Sequence, residues 1–194
     1  MQTKSNARTL VHPHHFSYLE SKFHNQASSI MTSPQHPTVR KATPADAEII
    51  LTLVDALADY EKLPRPDAEA KKRLIKDMFA NRPRINAYLG KYAGKPAGYA
   101  FVFETYSSFL ALPTLYLEDL FVLPEYRSRK VGYALFTAMV GEAHRRGCGR
   151  MEWSVLDWNQ LALDFYNRLG ATHMKEWRVY RLVRSDMEKI LSSM

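Results

Sequence analysis

The stretch Leu115–Gly147, LYLEDLFVLPEYRSRKVGYALFTAMVGEAHRRG, decides the fold. Residues 115–123 have the length and β-prone ends of a strand, and from Val131 onward apolar residues recur at the spacing of one helical face. The basic loop Arg127–Gly132 lies between them. A strand, a basic loop and a helix start together form an arrangement that binds phosphate, because the first-turn N–H groups lack intrahelical partners and the helix dipole is positive there. Taken alone, the loop would be better interpreted as a solvated basic turn between two core elements.

The composition excludes several classes of protein. A chain of 194 residues with 46% hydrophobic and 24% charged residues predicts one globular domain with a tail. Its single cysteine, Cys148, cannot form an intrachain disulfide and favours a reducing compartment. No motif activates this thiol, so we disfavour it as a nucleophile. No apolar run reaches the roughly 18 residues of a membrane span, so we expect no membrane partner.

The positive charge is concentrated at the beginning of the chain. Of the net +7, residues 1–41 carry five Lys or Arg against one acid, which leaves +3 for the rest. We expect no nucleic-acid partner, because a binder concentrates its charge on the folded surface. Residues 1–37 are rich in Ser, His, Asn, Gln and Pro, and are predicted to be a disordered extension before a domain at 38–194. We expect a cytoplasmic location, with a mitochondrial presequence as the alternative.

The remaining periodicities predict a mixed sheet with helices on both faces, in the order βααβββαβαββ. Thr43-Pro-Ala-Asp46 begins the first helix, with threonine as N-cap and proline at the first helical position. The predicted strands are 38–42, 86–92, 97–106, 115–123, 150–156, 172–175 and 177–183, and the predicted helices are 44–62, 66–80, 130–146 and 159–169.

The order of elements and the loop Arg127-x-x-Lys130-x-Gly132 resemble the GNAT acetyltransferase superfamily, whose pyrophosphate loop usually reads Arg/Gln-x-x-Gly-x-Gly/Ala. Three further stretches resemble its diamine acetyltransferase group, which comprises the spermidine/spermine and thialysine N-ε-acetyltransferases. These are ALADYEKL at 56–63, YLEDLFVLPEYR at 116–127 and VLDWNQLALDFYNRLGA at 155–171. The resemblance covers residues 38–183 and implies an α/β GNAT fold with a central, mostly antiparallel sheet.

The resemblance implies acetyl-CoA as cosubstrate. We expect no metal, because no group of His, Cys, Asp or Glu residues in the sequence has the spacing of metal ligands. Backbone groups of Phe121 and Val122 would hydrogen-bond the pantetheine arm like an added strand. Asn159, at the start of a helix, would also help to hold acetyl-CoA. The residues that would wrap the pyrophosphate are Arg127, Ser128, Arg129, Lys130, Val131, Gly132 and Tyr133.

Catalysis by direct transfer is also implied, with Tyr166 as the acid that protonates the departing thiolate and Glu118 as the group that deprotonates the amine. Strand alternation predicts that Glu118 shares a face with Tyr116, Leu120 and Val122. The opposite face would carry Leu117, Asp119 and Phe121. Two alternatives remain open. Asp119 could contact the substrate instead, or either carboxylate could pair with an arginine to hold the sheet.

Other family positions match residues that would contact a cationic substrate: Tyr60, Glu61, Glu152 and Trp153, with Glu176 aligned only loosely. The alternative for the two glutamates Glu61 and Glu152 is ordinary solvated charge. The implied function is acetyl transfer to a primary amine of a small diamine, polyamine or lysine analogue, by a homodimer. The alternatives are a protein N-terminal or lysine acetyltransferase, or a CoA-binding partner protein with weakened catalysis.

Lys130 departs from the family pattern, which has glycine at that position. Glycine allows a positive φ and a close approach of the backbone to the pyrophosphate. A lysine in the left-handed conformation costs about 1–2 kcal/mol. We therefore expect the loop either to bear this strain or to change its path.

Overall fold

The computed structural model describes residues 36–194, so most of the predicted disordered extension lies outside the described residues. None of the described helices is long and apolar enough to cross a membrane. Within residues 36–194 the strands are β1 (Thr38–Lys41), β2 (Asn86–Tyr92), β3 (Lys95–Ser107), β4 (Leu112–Val122) and β5 (Arg150–Trp153), and the helices are α1 (Ala47–Glu61), α2 (Ala68–Phe79), α3 (Val131–Arg145), α4 (Gln160–Arg168) and α5 (Arg184–Ser192).

The five strands form one sheet in the order β1-β2-β3-β4-β5. The first three pairs are antiparallel, and β4 pairs with β5 in parallel. Helix α3 is the crossover that a parallel pair requires, because two parallel strands cannot be joined by a tight turn. The predicted mixed, mostly antiparallel sheet is confirmed.

Each face of the sheet carries its own apolar core. On one face, Leu135 and Met139 of α3 pack against Leu115 and Leu117 of β4. On the other face, buried residues of α1 and α2 pack against Tyr99, Phe101 and Phe121. Helices therefore cover both faces, as predicted, and β4 lies between the two cores.

The prediction of two strands at 172–175 and 177–183 is wrong. No strand forms in this segment, and the next element is α5. Trp177 and Tyr180 are 74% and 88% exposed. Alternation in a sequence shows which residues would share a face, but a strand also needs a neighbour to bond with. In the single chain, no described strand lies beside this segment.

Asp46 connects β1 to the beginning of α1. Its carboxylate accepts two hydrogen bonds from the Arg40 guanidinium, at 2.6 and 2.7 Å, and further bonds from the Thr43 N–H and hydroxyl at 2.8 Å. The Arg40 guanidinium and these hydrogen bonds hold the pKa of Asp46 well below its usual value. Its stabilisation is therefore fully present above the ordinary aspartate pKa and is lost only in strong acid.

We predict that Asp46→Asn lowers the free energy of unfolding by about 2 kcal/mol at pH 7, because a buried charged acceptor is lost. The matched control is Asp59→Asn, since Asp59 pairs with Arg65 at the same six-residue separation. The Asp46 side chain is 6% exposed and that of Asp59 is 52% exposed. Urea unfolding should therefore show little change for the control. Equal losses in the two variants would contradict the structural role given to Asp46.

Candidate active site

Strands β4 and β5 pair over only part of their length. Their Cα partners run from Thr114 and Arg150 to Leu117 and Trp153, where β5 ends. The predicted strand 150–156 is therefore too long by three residues. Strand β4 continues to Val122 without a described strand beside its outer edge. This leaves a slot, bounded by residues 118–122, in which backbone groups of β4 are free to bond a ligand.

Backbone direction decides which residues of β4 face this slot. The Leu123 N–H donates to the Ala97 carbonyl oxygen at 2.9 Å, on the β3 side. Because the backbone groups of successive residues face alternate edges of a strand, those of Phe121 also face β3, whereas those of Leu120 and Val122 face the slot. This geometry fits the role expected of Val122. It assigns the second slot position to Leu120 and not to Phe121, whose ring lies in the α1-side core.

A β-bulge interrupts β4 at Glu118. Asp119 pairs with Phe101, but the next pair in register joins Leu117, so Glu118 is left without a partner. An extra residue reverses the side-chain alternation beyond it. Leu117 consequently faces α3 while Phe121 faces α1. The predicted alternation across Leu117, Asp119 and Phe121 is wrong for this reason.

The bulge directs Asp119 towards the α1 face, where it meets a buried tyrosine. The Tyr99 hydroxyl donates to Oδ2 of Asp119 at 2.9 Å. Burial raises the pKa of Asp119 to about 6, and the charges of Glu118 and Glu61 add to this rise, while the Tyr99 hydrogen bond opposes it. Burial also raises the pKa of Glu61. The carboxyl groups of Glu118 and Glu61 therefore lie close enough to Asp119 for their charges to act on it.

The loop before α3 has two residues in the left-handed region, Ser128 at φ 60° and Lys130 at φ 62°. Of the two outcomes expected for the loop, it bears the strain at Lys130. The same strain at Ser128 was not predicted. Val131 begins α3 directly after Lys130. A Cβ on Gly132 would touch only Val122 Cγ2, at 3.6 Å. The packing of the chain itself does not require this glycine, so the clearance above it is available to a ligand.

Cations surround the same helix start. The Arg127 guanidinium carbon lies 4.6 Å from the centre of the Tyr60 ring, and that of Arg129 lies 5.2 Å from the centre of the Tyr92 ring. Arg127 Nε also donates to the Val122 carbonyl oxygen at 3.3 Å. Three positive side chains, including the exposed Lys130, and the free N–H groups of α3 together suit an anion such as a pyrophosphate.

Tyr60 and Asn159 connect the end of α1 to the start of α4. Asn159 is the N-cap of α4, and its Oδ1 accepts from the Ala162 N–H at 3.3 Å. The same oxygen accepts from the Tyr60 hydroxyl at 3.1 Å. Asn159 therefore lies beside the slot, where its expected contact with the cosubstrate is possible, and Tyr60 lies between Asn159 and Arg127.

Tyr166 of α4 lies in an aromatic cluster. Its ring centre is 4.9 Å from that of Trp153, 5.3 Å from that of Phe165 and 6.0 Å from that of Phe136. Burial raises the pKa of Tyr166 to about 12, so the phenol stays protonated at neutral pH and can donate. Trp153, which is expected to contact the amine, packs against the Tyr166 ring.

The predicted substrate-binding acids lie in different surroundings. Glu61, Lys62 and Trp158 line an open cavity of about 140 Å³ at the end of α1. Glu152 is exposed and pairs with Arg150 at 2.9 Å, on the opposite face of β5 from Trp153. Of the two glutamates, Glu61 alone lines this cavity.

Sequence reasoning missed Tyr99, Leu120 and Trp158. Trp158 lies inside the quoted stretch VLDWNQ, so its position was an available signal. Tyr99 and Leu120 acquire their positions from strand pairing, which a single sequence does not show.

The Cys148 thiol lies far from the slot. Cys148 lies next to Gly149, whose N–H donates to the Pro113 carbonyl oxygen at the start of β4. Val122 is nine residues further along the strand, about 30 Å away at the rise of an extended chain. Within residues 36–194 no three His, Cys, Asp or Glu side chains are grouped as a metal site.

Comparison with known proteins agrees with this geometry. The profile of the Acetyltransferase (GNAT) family matches residues 51–171. A thialysine N-epsilon-acetyltransferase from Bos taurus is 30% identical over 163 residues, covering 78% of this chain and 95% of its own. An L-ornithine N5-acetyltransferase from Arabidopsis thaliana is 28% identical over 197 residues, covering 78% of this chain and 86% of its own.

Solved structures show the same fold. An integron cassette protein from the mobile metagenome of V. cholerae superposes with a TM-score of 0.68 at 18% identity, covering 80% of this chain and 97% of that one. The family profile covers more than half of the chain, and the relatives are matched over most of their own length. The chain therefore belongs to the GNAT acetyltransferase family, whose members transfer acetyl groups from acetyl-CoA to amines.

Proposed function

We propose that the protein acetylates a primary amine of a small cationic substrate, a diamine, polyamine or lysine analogue, by direct transfer from acetyl-CoA. The observation that carries this proposal is the slot beside residues 118–122, which has a cationic helix start at one end and three carboxyl groups at its side. The cations match a pyrophosphate, and the carboxyl groups match an ammonium.

Different residues of this chain bind acetyl-CoA, polarise its carbonyl group and donate the proton. The free N–H and carbonyl groups of Leu120 and the free N–H of Val122 orient the pantetheine arm as an added strand, while the Val122 carbonyl oxygen accepts from Arg127. The loop from Arg127 and the start of α3 hold the pyrophosphate. Acetyl-CoA supplies an activated thioester carbonyl, which the Val122 amide is directed to polarise. Tyr166 supplies the proton to the departing sulfur.

The relatives support a small cationic amine as substrate. The bovine enzyme is named for thialysine and the Arabidopsis enzyme for L-ornithine, both amino acids with a side-chain primary amine. The carboxyl group of Glu61, in the cavity at the end of α1, supports the same class through its charge.

An acetylation assay tests the proposal and the role of Tyr166 together. Wild-type protein should release CoA and form acetylated product with diamines, polyamines or lysine analogues, and not with peptides. Tyr166→Phe should lower turnover roughly 10²-fold with little change in acetyl-CoA affinity. The control is Tyr88→Phe, since the Tyr88 hydroxyl faces Glu142 near the far end of α3. Full turnover by Tyr166→Phe, with chemistry rate-limiting, would contradict its role, and acetylation of peptides alone would contradict the proposed substrate.

Lys130 offers a second test of the pyrophosphate loop. Lys130→Ala removes the charge but keeps the left-handed strain, whereas Lys130→Gly removes both. We expect Lys130→Gly to bind acetyl-CoA as well as or better than wild type, because relief of about 1–2 kcal/mol of strain offsets the lost charge. Lys130→Ala should bind more weakly, and both variants should show a shallower salt dependence. Binding by Lys130→Gly that is tenfold weaker at low and high salt would show that the lysine is a required ligand.

We also propose that the protein works as a homodimer in the cytoplasm. The apolar residues of the C-terminal segment support a second copy, because a stripe of exposed Trp177, Val179, Tyr180 and Leu182 is unusual on a monomer. The single cysteine supports a reducing compartment.

Sedimentation at micromolar concentration should show a dimer that Trp177→Ser with Tyr180→Ser weakens, because these side chains are exposed in the single chain. The control pair Lys175→Ser with Arg178→Ser changes neighbouring polar positions. A wild-type monomer throughout this range would exclude the proposed dimer.

A further inference from the structure

We infer that Asp119, positioned by Tyr99, takes the proton from the ammonium substrate, and that Glu118 acts on this step only through its charge. The inference rests on the proposed function, since it concerns the amine that the enzyme would acetylate. It gives the half-buried carboxylate of Asp119 a role that the family resemblance assigned to Glu118.

The geometry favours Asp119 because the bulge separates the two acids. Glu118 is the unpaired residue of the bulge and is exposed, and within residues 36–194 no hydrogen bond or ion pair fixes its carboxylate. Asp119 is half-buried on the α1 face, next to the aromatic ring of Phe121 in the same strand. A proton acceptor is effective when its position is fixed before the reaction, which Asp119 satisfies and Glu118 does not.

Tyr99 is the positioning residue. Its side chain is fully buried, and its ring packs 4.8 Å from Phe101 and 6.3 Å from Phe121, measured between ring centres. Burial and the charge of Asp119 raise its pKa well above the usual value, so the phenol remains a donor. It bonds to Oδ2 of Asp119 and leaves Oδ1 to receive a proton.

The surroundings make Asp119 a stronger base than an ordinary aspartate. Its pKa is raised to about 6, first by burial and then by the charges of Glu118 on the same strand and Glu61 on α1. Tyr99 on β3 acts in the opposite direction. No cation is among the groups that shift it in the described part of the chain. The carboxylate is therefore ionised above about pH 6 and attracts a substrate ammonium.

The step balances without any further reactant. Oδ1 of Asp119 removes one proton from the substrate R–NH₃⁺, and the resulting amine attacks the thioester carbonyl carbon. The C–N bond forms and the C–S bond breaks. Tyr166 gives its proton to the departing sulfur. The nitrogen loses a second proton as it becomes an amide, and this proton restores the Tyr166 phenol, so the products are the amide and CoA thiol. The proton on Asp119 returns to water.

The dependence of kcat/KM on pH distinguishes Asp119 from Glu118. In wild type, kcat/KM should be level between about pH 6 and the amine pKa near 10, and should fall below pH 6 as Asp119 becomes protonated. The pH at which kcat/KM begins to fall is called the break. Asp119→Asn should lower kcat/KM roughly 10²-fold at pH 7.5 and abolish this break. Its activity should then rise with pH throughout, because only free amine reacts.

Two further variants keep the test decisive even if Asp119→Asn folds poorly. Tyr99→Phe removes the hydrogen bond that stabilises the carboxylate, so the break should move to higher pH. Glu118→Gln removes a repelling charge, so the break should move to lower pH. A purely structural role for these residues would change stability without moving the break in opposite directions. Thermal melting and acetyl-CoA affinity, measured on each variant, separate misfolding from lost chemistry.

The outcomes separate this inference from the proposed function. If Glu118→Gln abolishes the break and Asp119→Asn leaves it, Glu118 is the acceptor and the inference is wrong, although the proposed function stands. The inference is also wrong if the break stays fixed in both Tyr99→Phe and Glu118→Gln. If wild-type protein acetylates no small amine under any of these conditions, the proposed function itself fails.

Discussion

The extra residue in β4 is the constraint on which the site depends. Register with β5 ends at Leu117, the residue before the bulge at Glu118, and the unpaired edge of β4 begins there. A bulge bends a strand and increases its twist. The same irregularity turns Asp119 from the α3 side of the sheet to the α1 side. One residue therefore accounts both for the slot and for the carboxylate that lies beside it.

The site has positive side chains at one end, for the anionic cosubstrate, and carboxyl groups at the other, for the cationic substrate. Positive side chains surround the start of α3, and carboxyl groups lie on the α1 side of β4. Tyr60 stands between these two regions, since its ring contacts the Arg127 guanidinium and its hydroxyl bonds Asn159. An anionic cosubstrate and a cationic substrate can thus approach the same slot from different sides, and neither has to cross the field that repels it.

Much of the fold could be predicted because local patterns determine it. The β2–β3 hairpin, the Thr43–Asp46 capping box of the 3-10 turn before α1 and the amphipathic face of α3 each follow from residues close together in sequence. The conformation of Lys130 was also predictable, since it replaces a glycine in a recognisable loop. Tyr166 and Asn159 could be named from their motif, but their neighbours could not.

The errors have a common physical origin in pairing between distant segments. The bulge exists only relative to β3, so alternation read along β4 placed Leu117 and Phe121 on one face. The segment 172–183 has the alternation of a strand but no neighbour in the single chain. Nothing in the sequence around Tyr99 marks it as a site residue. Its position depends on the pairing of β3 with β4, which places it opposite Phe121 and within hydrogen-bond distance of Asp119.

The stacking of Arg127 on Tyr60 and of Arg129 on Tyr92 has a consequence for anion affinity. Each guanidinium is already held in place when the protein folds, so an arriving anion need not immobilise a freely rotating side chain. Ordering such a chain on binding costs about 0.5–1.5 kcal/mol. The loop is therefore preorganised at these two residues, and the exposed Lys130 lacks this advantage. Replacing either arginine by lysine would keep the charge and weaken the preorganisation, because an ammonium lacks the flat face that stacks on a ring.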